Sequence, residues 1–339
     1  MSRMKNAKKI GSIAPIAVGP LVLDGAVLLA PMSGVSDLGM RKVARRFGAA
    51  LVFTEMVAAE TFLEGDAEAA LRAEGKGLSP HAVQLVGRDP ATMAAAARRA
   101  ENAGAELIDI NMGCPARKVS GALAGAALMR DLDWAERIIA GVAEAVSVPV
   151  TVKMRLGWDA LSLDAPELAR RAERSGARMV TVHGRTRAQF YDGRADWAAV
   201  KAVVEALSIP VVVNGDCASA DDAREMLARS GASGVMVGRA AVGAPWLPGV
   251  ISQALARGSA PTPSLEARSQ AAAEHLDWLL GALGPRVGLR HARKHLAAYA
   301  EKAGAPADLR RALVTTEDPK QARSLLASAF DAEPRRAAA

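Results

Sequence analysis

The chain has 339 residues, of which half are apolar and only 4% aromatic, and its 43 basic and 36 acidic residues give a net charge of +7. The composition excludes intrinsic disorder, and the length allows two domains or one large barrel with a small appendage. Two cysteines without a Cys-x-x-Cys pair exclude a disulfide scaffold, a zinc ribbon and an iron–sulfur cluster. The basic charge suits an anionic partner such as nucleic acid, although ordinary basic enzymes share it.

The chain lacks the patterns of a secretion signal or a membrane span. Residues 1–9 carry three lysines and one arginine, but no apolar segment of signal-peptide length follows them. No run reaches the roughly 18 apolar residues that cross a bilayer. We therefore expect a cytoplasmic protein that contacts no membrane and holds no metal.

Short apolar runs rich in valine, isoleucine and leucine recur along the first 240 residues and predict buried parallel strands. The predicted strands are Val27–Met32, Leu51–Glu55, Ala82–Val86, Leu107–Ile110, Val150–Met154, Met179–His183, Val211–Asn214 and Gly234–Val237.

Helix-compatible segments lie between these strands, including Pro90–Asn102, Leu132–Val146, Pro166–Arg174, Trp197–Ala206 and Ala220–Ala228. The dipeptide Gly-Ala precedes four of the strands, where a helix should end in left-handed backbone. Its glycines are Gly48, Gly104, Gly176 and Gly231.

Eight strand–helix units over about 220 residues predict an α/β fold of the (β/α)₈, or TIM barrel, type. A doubly wound sheet is the alternative, but it usually has fewer strands and a glycine-rich loop after the first one. The segment Ala30-Pro-Met-Ser-Gly is not such a loop. We place the barrel, with a short N-terminal extension, at residues 1–250.

The strand pattern stops after Trp246, and Gly258–Ser264 has the composition of a linker. Helical segments are predicted near 265–283, 287–303 and 306–331, and residues 335–339 should form a frayed tail. Residues 262–333 are thus predicted to be a small all-helical domain.

Barrel enzymes carry their chemistry at the carboxyl ends of the strands. The last two ends, Asn214-Gly-Asp216 and Gly238-Arg239, lie where barrels often bind phosphate; the alternative is that their glycines serve only to form tight turns. Lys153 ends the fifth strand and His183 the sixth. A buried Lys153 needs either an anionic ligand or a carboxylate, for which Glu55 and Asp216 are the candidates.

Cys114 follows the fourth strand in a Gly-Cys-Pro turn. A free cysteine is often an inert buried residue, but this position at the catalytic face suggests a general acid. The neighbouring Arg117 and Lys118 would favour its thiolate form instead, which leaves its protonation state open. Cys217 has no comparable setting and is expected to be structural.

The strand ends together resemble the tRNA-dihydrouridine synthase family over about residues 15–330. The most specific matches are Asp109-Ile-Asn-Met-Gly-Cys-Pro115 and Val182-His-Gly-Arg-Thr-Arg187. Phe190-Tyr-Asp-Gly193, Pro245-Trp246 and Ala292-Arg-Lys-His295 are most similar to the bacterial B-type branch (DusB).

The resemblance implies an enzyme that reduces the C5–C6 bond of uridines in tRNA, with FMN as cofactor and NADPH as reductant. Cys114 would protonate C5. The implied FMN contacts are Pro31, Met32, Ser33, Gln84, Lys153, His183, Asn214, Gly215, Asp216, Gly238 and Arg239. The target uracil would meet Asn111 and Arg155. A monomer that binds tRNA across both domains is expected.

The helical domain adds a basic face at Arg290, Arg293 and Lys294, next to His295, with Arg310 and Arg311 further on. It is either a solvated surface or a tRNA contact, and the resemblance favours tRNA. The sequence leaves other functions open: an FMN-dependent dihydroorotate or dihydropyrimidine dehydrogenase acting on a free pyrimidine, a barrel isomerase or lyase without redox chemistry, and a non-catalytic RNA-binding protein.

Overall fold

The computed structural model of the chain describes residues 14–331, so the predictions about residues 1–9 and 335–339 lie outside the described residues. A short antiparallel hairpin comes first, formed by β1 (Ala17–Val18) and β2 (Leu21–Val22). Nine parallel strands follow: β3 (Val27–Leu29), β4 (Leu51–Val52), β5 (Val57–Ala58), β6 (Ala82–Val86), β7 (Leu107–Met112), β8 (Val150–Arg155), β9 (Ala177–His183), β10 (Val211–Asn214) and β11 (Gly234–Val237).

These nine strands form one sheet in the order β4-β3-β11-β10-β9-β8-β7-β6-β5. A parallel bridge between Phe53, just after β4, and Ala82, the first residue of β6, joins the two sides of the sheet and closes it. The predicted barrel is therefore confirmed. Strand β5 is an additional short strand beside β6.

Helices alternate with the strands around the barrel. They are α1 (Leu38–Arg46), α2 (Ala59–Glu64), α3 (Ala67–Ala73), α4 (Pro90–Asn102), α5 (Arg117–Gly121), α6 (Leu132–Ala145), α7 (Ala165–Arg174), α8 (Lys201–Val204), α9 (Ala220–Ser230) and α10 (Leu247–Arg257). Two short 3₁₀ segments, Gly125–Arg130 and Arg239–Ala241, complete the loops after β7 and β11. All four glycines of the Gly-Ala pairs have positive φ, as predicted.

The helical segment that follows contains α11 (Leu265–Lys302), α12 (Ala307–Thr315) and α13 (Pro319–Asp331). The two helices predicted near 265–283 and 287–303 are confirmed, because α11 is interrupted at Gly284, whose backbone is non-helical at φ +75° and ψ 166° and which precedes Pro285. The single segment predicted at 306–331 is wrong, because Pro319 disfavours helical backbone at the residue before it and starts a new helix. These helices share an apolar cluster, which includes Leu276, Leu296 and Phe330 and extends to Val43 of α1 and to Trp246.

Several predicted bounds are also wrong. Strand β3 ends at Leu29 rather than Met32, because Pro31 has no N–H to donate and the Met32 N–H bonds to Ser36 Oγ instead. The helix predicted at Trp197–Ala206 shrinks to α8. Residues 197–200, which precede α8, form turns instead. The Trp197 indole is buried and donates to the carbonyl of Gly215, just after β10, and this contact holds the turns in place.

From their sequence, the barrel strands were expected to be apolar throughout, and this is wrong. Near the carboxyl ends of the strands, polar and apolar side chains alternate. Outward positions such as Ile108, Ile110 and Val152 pack against the helices, while Asp109, Asn111 and Lys153 occupy the alternate positions. The other end of the barrel is filled by apolar side chains, among them Leu28 and Met236. Polar chemistry is thereby confined to the carboxyl-end face. No helix of residues 14–331 is long and apolar enough to cross a membrane.

Candidate active site

A cavity of about 690 Å³ opens at the carboxyl ends of the barrel strands. Every residue predicted to bind the cofactor lines it, as do Cys114, Asn111 and Arg155. The predicted RNA contacts Arg290, Arg293 and Lys294 do not line it. Its size lies within the range of small-molecule sites, and residues from opposite sides of the barrel meet there.

The Cys114 turn is held from two sides. The Asn111 side-chain oxygen accepts the N–H groups of Gly113 at 3.1 Å and Cys114 at 2.9 Å. Arg155 Nε donates to the Gly113 carbonyl at 2.8 Å. A side chain on Gly113 would approach the Met154 carbonyl carbon at 3.3 Å, so a small residue suits this position. The half-buried Cys114 thiol is therefore presented to the cavity on a rigid turn.

A chain of hydrogen bonds continues from this turn into the barrel. Asn111 Nδ2 donates to Gln84 Oε1 at 2.9 Å, and Gln84 Nε2 donates to Asp109 Oδ2 at 2.6 Å. Thr151 Oγ1 donates to the other Asp109 oxygen at 2.6 Å. Burial raises the pKa of the Asp109 carboxyl to about 6 in spite of these donors. This chain fixes the side-chain orientations of Gln84 and Asn111.

Lys153 lies on β8 beside Asn111 of β7. Within residues 14–331 no hydrogen bond or ion pair holds its ammonium group. Burial, with a smaller contribution from Arg155, lowers its pKa to about 8, and Asp109 partly opposes this. Lys153 thus offers an unpaired cation to the cavity.

Neither carboxylate considered as a partner for Lys153 serves that role. Glu55 accepts a hydrogen bond from the Gly34 N–H and lies 3.9 Å from Arg72 Nε. Asp216 pairs with Arg185 and Arg239. Asp109, which the sequence reasoning missed, is the carboxyl whose charge acts on Lys153. It could have been noticed as an acidic residue inside an apolar strand run.

His183 ends β9 and faces the same cavity. Burial, followed by the charge of Lys153, holds its imidazole pKa well below the ordinary range, so the ring is neutral at pH 7. Its Nδ1 is buried and has no partner among the described residues. Gly215 has φ of +121°, and a Cβ there would lie 3.5 Å from the His183 ring and 2.7 Å from Ala195 Cβ. Glycine allows the backbone to pass close to the ring.

The far end of the cavity carries a charged network around Asp216. Arg185, only 2% exposed, donates to both carboxylate oxygens at 3.0 and 2.6 Å. Arg239 lies 3.2 Å from one of them with its side chain 60% exposed. Hydrogen bonds from Arg185 and the Ala195 N–H outweigh burial and lower the Asp216 pKa. Arg185 therefore holds Asp216 through both oxygens, while Arg239 makes a single contact with it and keeps its remaining donors exposed for an anion.

The loop after β9 closes one side of the cavity. Arg155 Nη1 donates to the carbonyls of Thr186 and Phe190, each at 2.8 Å, and Arg185 donates to those of Asp192 and Gly193. The loop presents Tyr191, whose ring lies 4.9 Å from the Arg239 guanidinium carbon and 5.6 Å from that of Arg155. No role for Tyr191 or Arg185 was predicted from the sequence, although both lie in segments that carry the family resemblance.

The helical residues predicted to contact RNA differ in exposure. Arg290 and Lys294 are exposed and Arg293 is half-buried. His295 is only 2% exposed and lies 3.3 Å from Asp37, so its inclusion in a surface patch is wrong. Arg310 and Arg311 of α12 are both exposed. Cys217 is buried, and burial raises its pKa to about 12, in keeping with the structural role expected for it.

The model of the dihydrouridine synthase (Dus) family matches residues 28–333. A probable tRNA-dihydrouridine synthase of Rhizobium leguminosarum is 50% identical over 308 residues, which are 90% of this chain and 95% of that one. A probable tRNA-dihydrouridine synthase of Rhodobacter capsulatus is 50% identical over 93% of this chain and 98% of its own. The tRNA-dihydrouridine synthase B of Xanthomonas axonopodis is 42% identical over 93% and 96%.

Two solved structures share the fold at low sequence identity. Histamine dehydrogenase from a Rhizobium species superposes with a TM-score of 0.56 at 14% identity, over 95% of this chain and 64% of its own. Morphinone reductase gives a TM-score of 0.51 at 16% identity, over 76% and 92%. They show the same barrel architecture.

Proposed function

This chain belongs to the dihydrouridine synthase family, and we propose that it reduces the C5–C6 double bond of uridines in tRNA to 5,6-dihydrouridine, with FMN as its flavin and NADPH as reductant. It is a flavin-dependent oxidoreductase. The observation that carries the proposal is that one cavity is lined by Cys114, Asn111, Lys153 and Arg239. The chain that forms this cavity is 50% identical to a probable tRNA-dihydrouridine synthase. Because its substrate is tRNA, we place its action in the cytoplasm and expect it to act as a monomer.

The cavity fits a flavin mononucleotide in charge as well as in size. An isoalloxazine ring carries hydrogen-bonding groups along its pyrimidine edge, which the unpaired Lys153 ammonium and the Gln84 amide would meet. The exposed Arg239 and the backbone of Gly238 would hold the phosphate, with Asn214–Asp216 along the ribityl chain. Pro31, Met32 and Ser33 would lie against the ring, and the partnerless His183 Nδ1 would find a polar contact there. When bound, FMN supplies the hydride that goes to C6 of uracil.

Cys114 supplies the other hydrogen. Its thiol donates a proton to C5 as C6 gains the hydride, which leaves a thiolate that takes a new proton from solvent. The turn positions the sulfur, because Asn111 holds two of its N–H groups and Arg155 holds the Gly113 carbonyl. The Lys153 ammonium is close enough for its pKa to respond to charge on the thiol. It would stabilise the thiolate until reprotonation.

Asn111 and Arg155 are also proposed to contact the uracil. Each lines the cavity, but each already makes hydrogen bonds within the protein. Asn111 uses both its side-chain oxygen and Nδ2, and Arg155 uses Nε and Nη1. They therefore combine a positioning role with substrate recognition through the donors that remain.

A tRNA uridine can reach this cavity only if its base leaves the stack. Extrusion costs a few kcal/mol and is easiest for a base that is already unpaired. The exposed Arg290 and Lys294, with Arg310 and Arg311, would bind phosphates and supply the sequence-independent part of the affinity.

The test uses purified protein loaded with FMN, NADPH, and either unmodified tRNA or free uracil. Dihydrouridine formation in tRNA, without turnover of free uracil, is the expected result. Turnover of free uracil alone would establish a free-pyrimidine reductase instead. Mapping dihydrouridine in tRNA from a strain that lacks the gene would identify the positions reduced.

A further inference from the structure

A second cavity, of about 820 Å³, lies beside the first. Its walls come from the turn between β3 and α1 with the start of α1, from α3, and from the part of α11 on both sides of Gly284. One turn separates the two cavities: Ser33 lines the first and Gly34 lines the second. The second cavity plays no part in the chemistry assigned to Cys114.

The walls of the second cavity are partly flat and apolar. Leu71 of α3 faces it together with Trp278 and Leu283 of α11. Trp278 is 39% exposed, and Lys42 lies 3.6 Å above the centre of its ring. Such walls favour a planar apolar ligand over a small ion.

One buried polar group on these walls has no hydrogen-bond partner among the described residues. Arg41 is 1% exposed, and its Nε and Nη2 donate to the carbonyls of Ser36 and Glu74, but its Nη1 is unpaired. His295, on the same walls, is 2% exposed, and its Nε2 lies 3.3 Å from Asp37 Oδ2. An unpaired buried donor costs about 1–3 kcal/mol, so a carbonyl acceptor from a ligand would relieve Arg41.

Carboxylates on the same walls offer acceptors. Glu55 lines the second cavity and is only 8% exposed, and Glu74 lines it nearby. The wall therefore offers donors and acceptors side by side. This pattern matches a ring that presents a carbonyl oxygen next to a ring N–H.

We propose that the second cavity binds one unstacked guanine or uracil base of the RNA substrate, from a nucleotide other than the one reduced. Both bases carry the carbonyl and ring N–H that Arg41 and the carboxylates require, whereas adenine has no carbonyl and cytosine no ring N–H. Lys294 marks the rim, since a methyl group on Gly34 would lie 3.2 Å from its Nζ, and it would meet the phosphate of that nucleotide. The inference rests on the proposed function, because it assumes that RNA is the substrate.

A cavity-filling variant and a matched control test this. Ala282 is exposed on α11 and lines the second cavity, so Ala282→Trp would occupy it without disturbing the core. Gln270→Trp places the same side chain on an exposed position of the same helix that lines neither cavity. Loss of one stacked base predicts a Kd for unmodified tRNA raised about 10-fold in the FMN-loaded Ala282→Trp protein. The Gln270→Trp protein should bind as the wild type does.

Chemical footprinting on the wild type supplies an independent readout. A carbodiimide that reacts with free N1 of guanine and N3 of uracil should report two protected positions in bound tRNA, the reduced uridine and one further guanine or uracil. Only the second should regain reactivity with Ala282→Trp. A single protected position, or equal Kd values for all three proteins, would overturn the inference. Failure of the wild type to reduce tRNA would instead count against the proposed function.

Discussion

Asp109 gives the sharpest test of the electrostatics inside the barrel. Its carboxyl is 1% exposed and its pKa is raised by burial from 3.8 to about 6. Asp109→Asn keeps the shape and both hydrogen bonds: Gln84 still donates to the side-chain oxygen, and the new amide can donate to Thr151. The substitution removes only the charge that burial disfavours.

The size and sign of the effect follow from the pKa. Below pH 3.8 the carboxyl is protonated in both folded and unfolded chains, and the substitution changes nothing through this route. As pH rises to about 6, the unfolded carboxyl ionises first, so the wild type loses stability. A rise from 3.8 to about 6 corresponds to about 3 kcal/mol, because each pKa unit is worth about 1.4 kcal/mol. This value already includes the attraction of Lys153, which partly opposes the effect of burial on the pKa.

The assay is urea unfolding of cofactor-free protein between pH 4 and pH 8. We expect the unfolding free energy of Asp109→Asn, relative to wild type, to increase by about 2–3 kcal/mol from pH 4 to pH 7. Asp89→Asn is the control, because hydrogen bonds from Thr92 lower the pKa of that exposed carboxyl and the sign of its pH dependence is opposite. A difference for Asp109→Asn that stays flat or falls with pH would refute the reasoning.

Three further substitutions address the active site. Cys114→Ala should lower kcat on tRNA by about 10²–10⁴-fold while the flavin spectrum stays that of wild type, and activity close to wild type would exclude Cys114 as the proton donor. Lys153→Met removes the unpaired cation, so fluorescence titration should show weaker FMN binding by about 10-fold or more; equal affinity would place Lys153 away from the flavin. Gly215→Ala puts a Cβ 2.7 Å from Ala195 Cβ at φ +121°, and it should lower stability by about 1–3 kcal/mol in thermal unfolding, whereas Gly193→Ala, with open space around it, should cost less.

The barrel could be predicted from sequence because its strands are short, buried and separated by helices with regular ends. Strands β6, β10 and β11 have the predicted bounds. Bounds were missed where side chains override the pattern, as at Met32, whose N–H bonds to Ser36 instead of a neighbouring strand. The turns around Trp197 depend on its contact with Gly215, which only the tertiary structure brings close.

The site could be predicted as far as it follows strand ends. His183 ends a strand, Lys153 lies two residues before a strand ends, and Cys114 lies two residues after one, so topology alone brings them to one cavity. Their partners could not be predicted in the same way. The pairing of Arg185 with Asp216 joins residues 31 apart in sequence, and His275 meets Asp37 across 238 residues. No local pattern encodes such contacts.

The turn between β3 and α1 has a consequence for how ligands influence each other. Within six residues it lines the first cavity at Met32, the second at Gly34, and reaches the helical segment at Asp37, which lies 3.0 Å from His275. Two ligands that order the same segment are thermodynamically linked, and linkage is reciprocal. If bound flavin raises the affinity for RNA by some factor, bound RNA raises the affinity for flavin by the same factor, even when the two ligands do not touch. Because both ligands order this segment, protein stripped of its flavin should bind tRNA more weakly, and tRNA should lower the Kd for the flavin by the same factor.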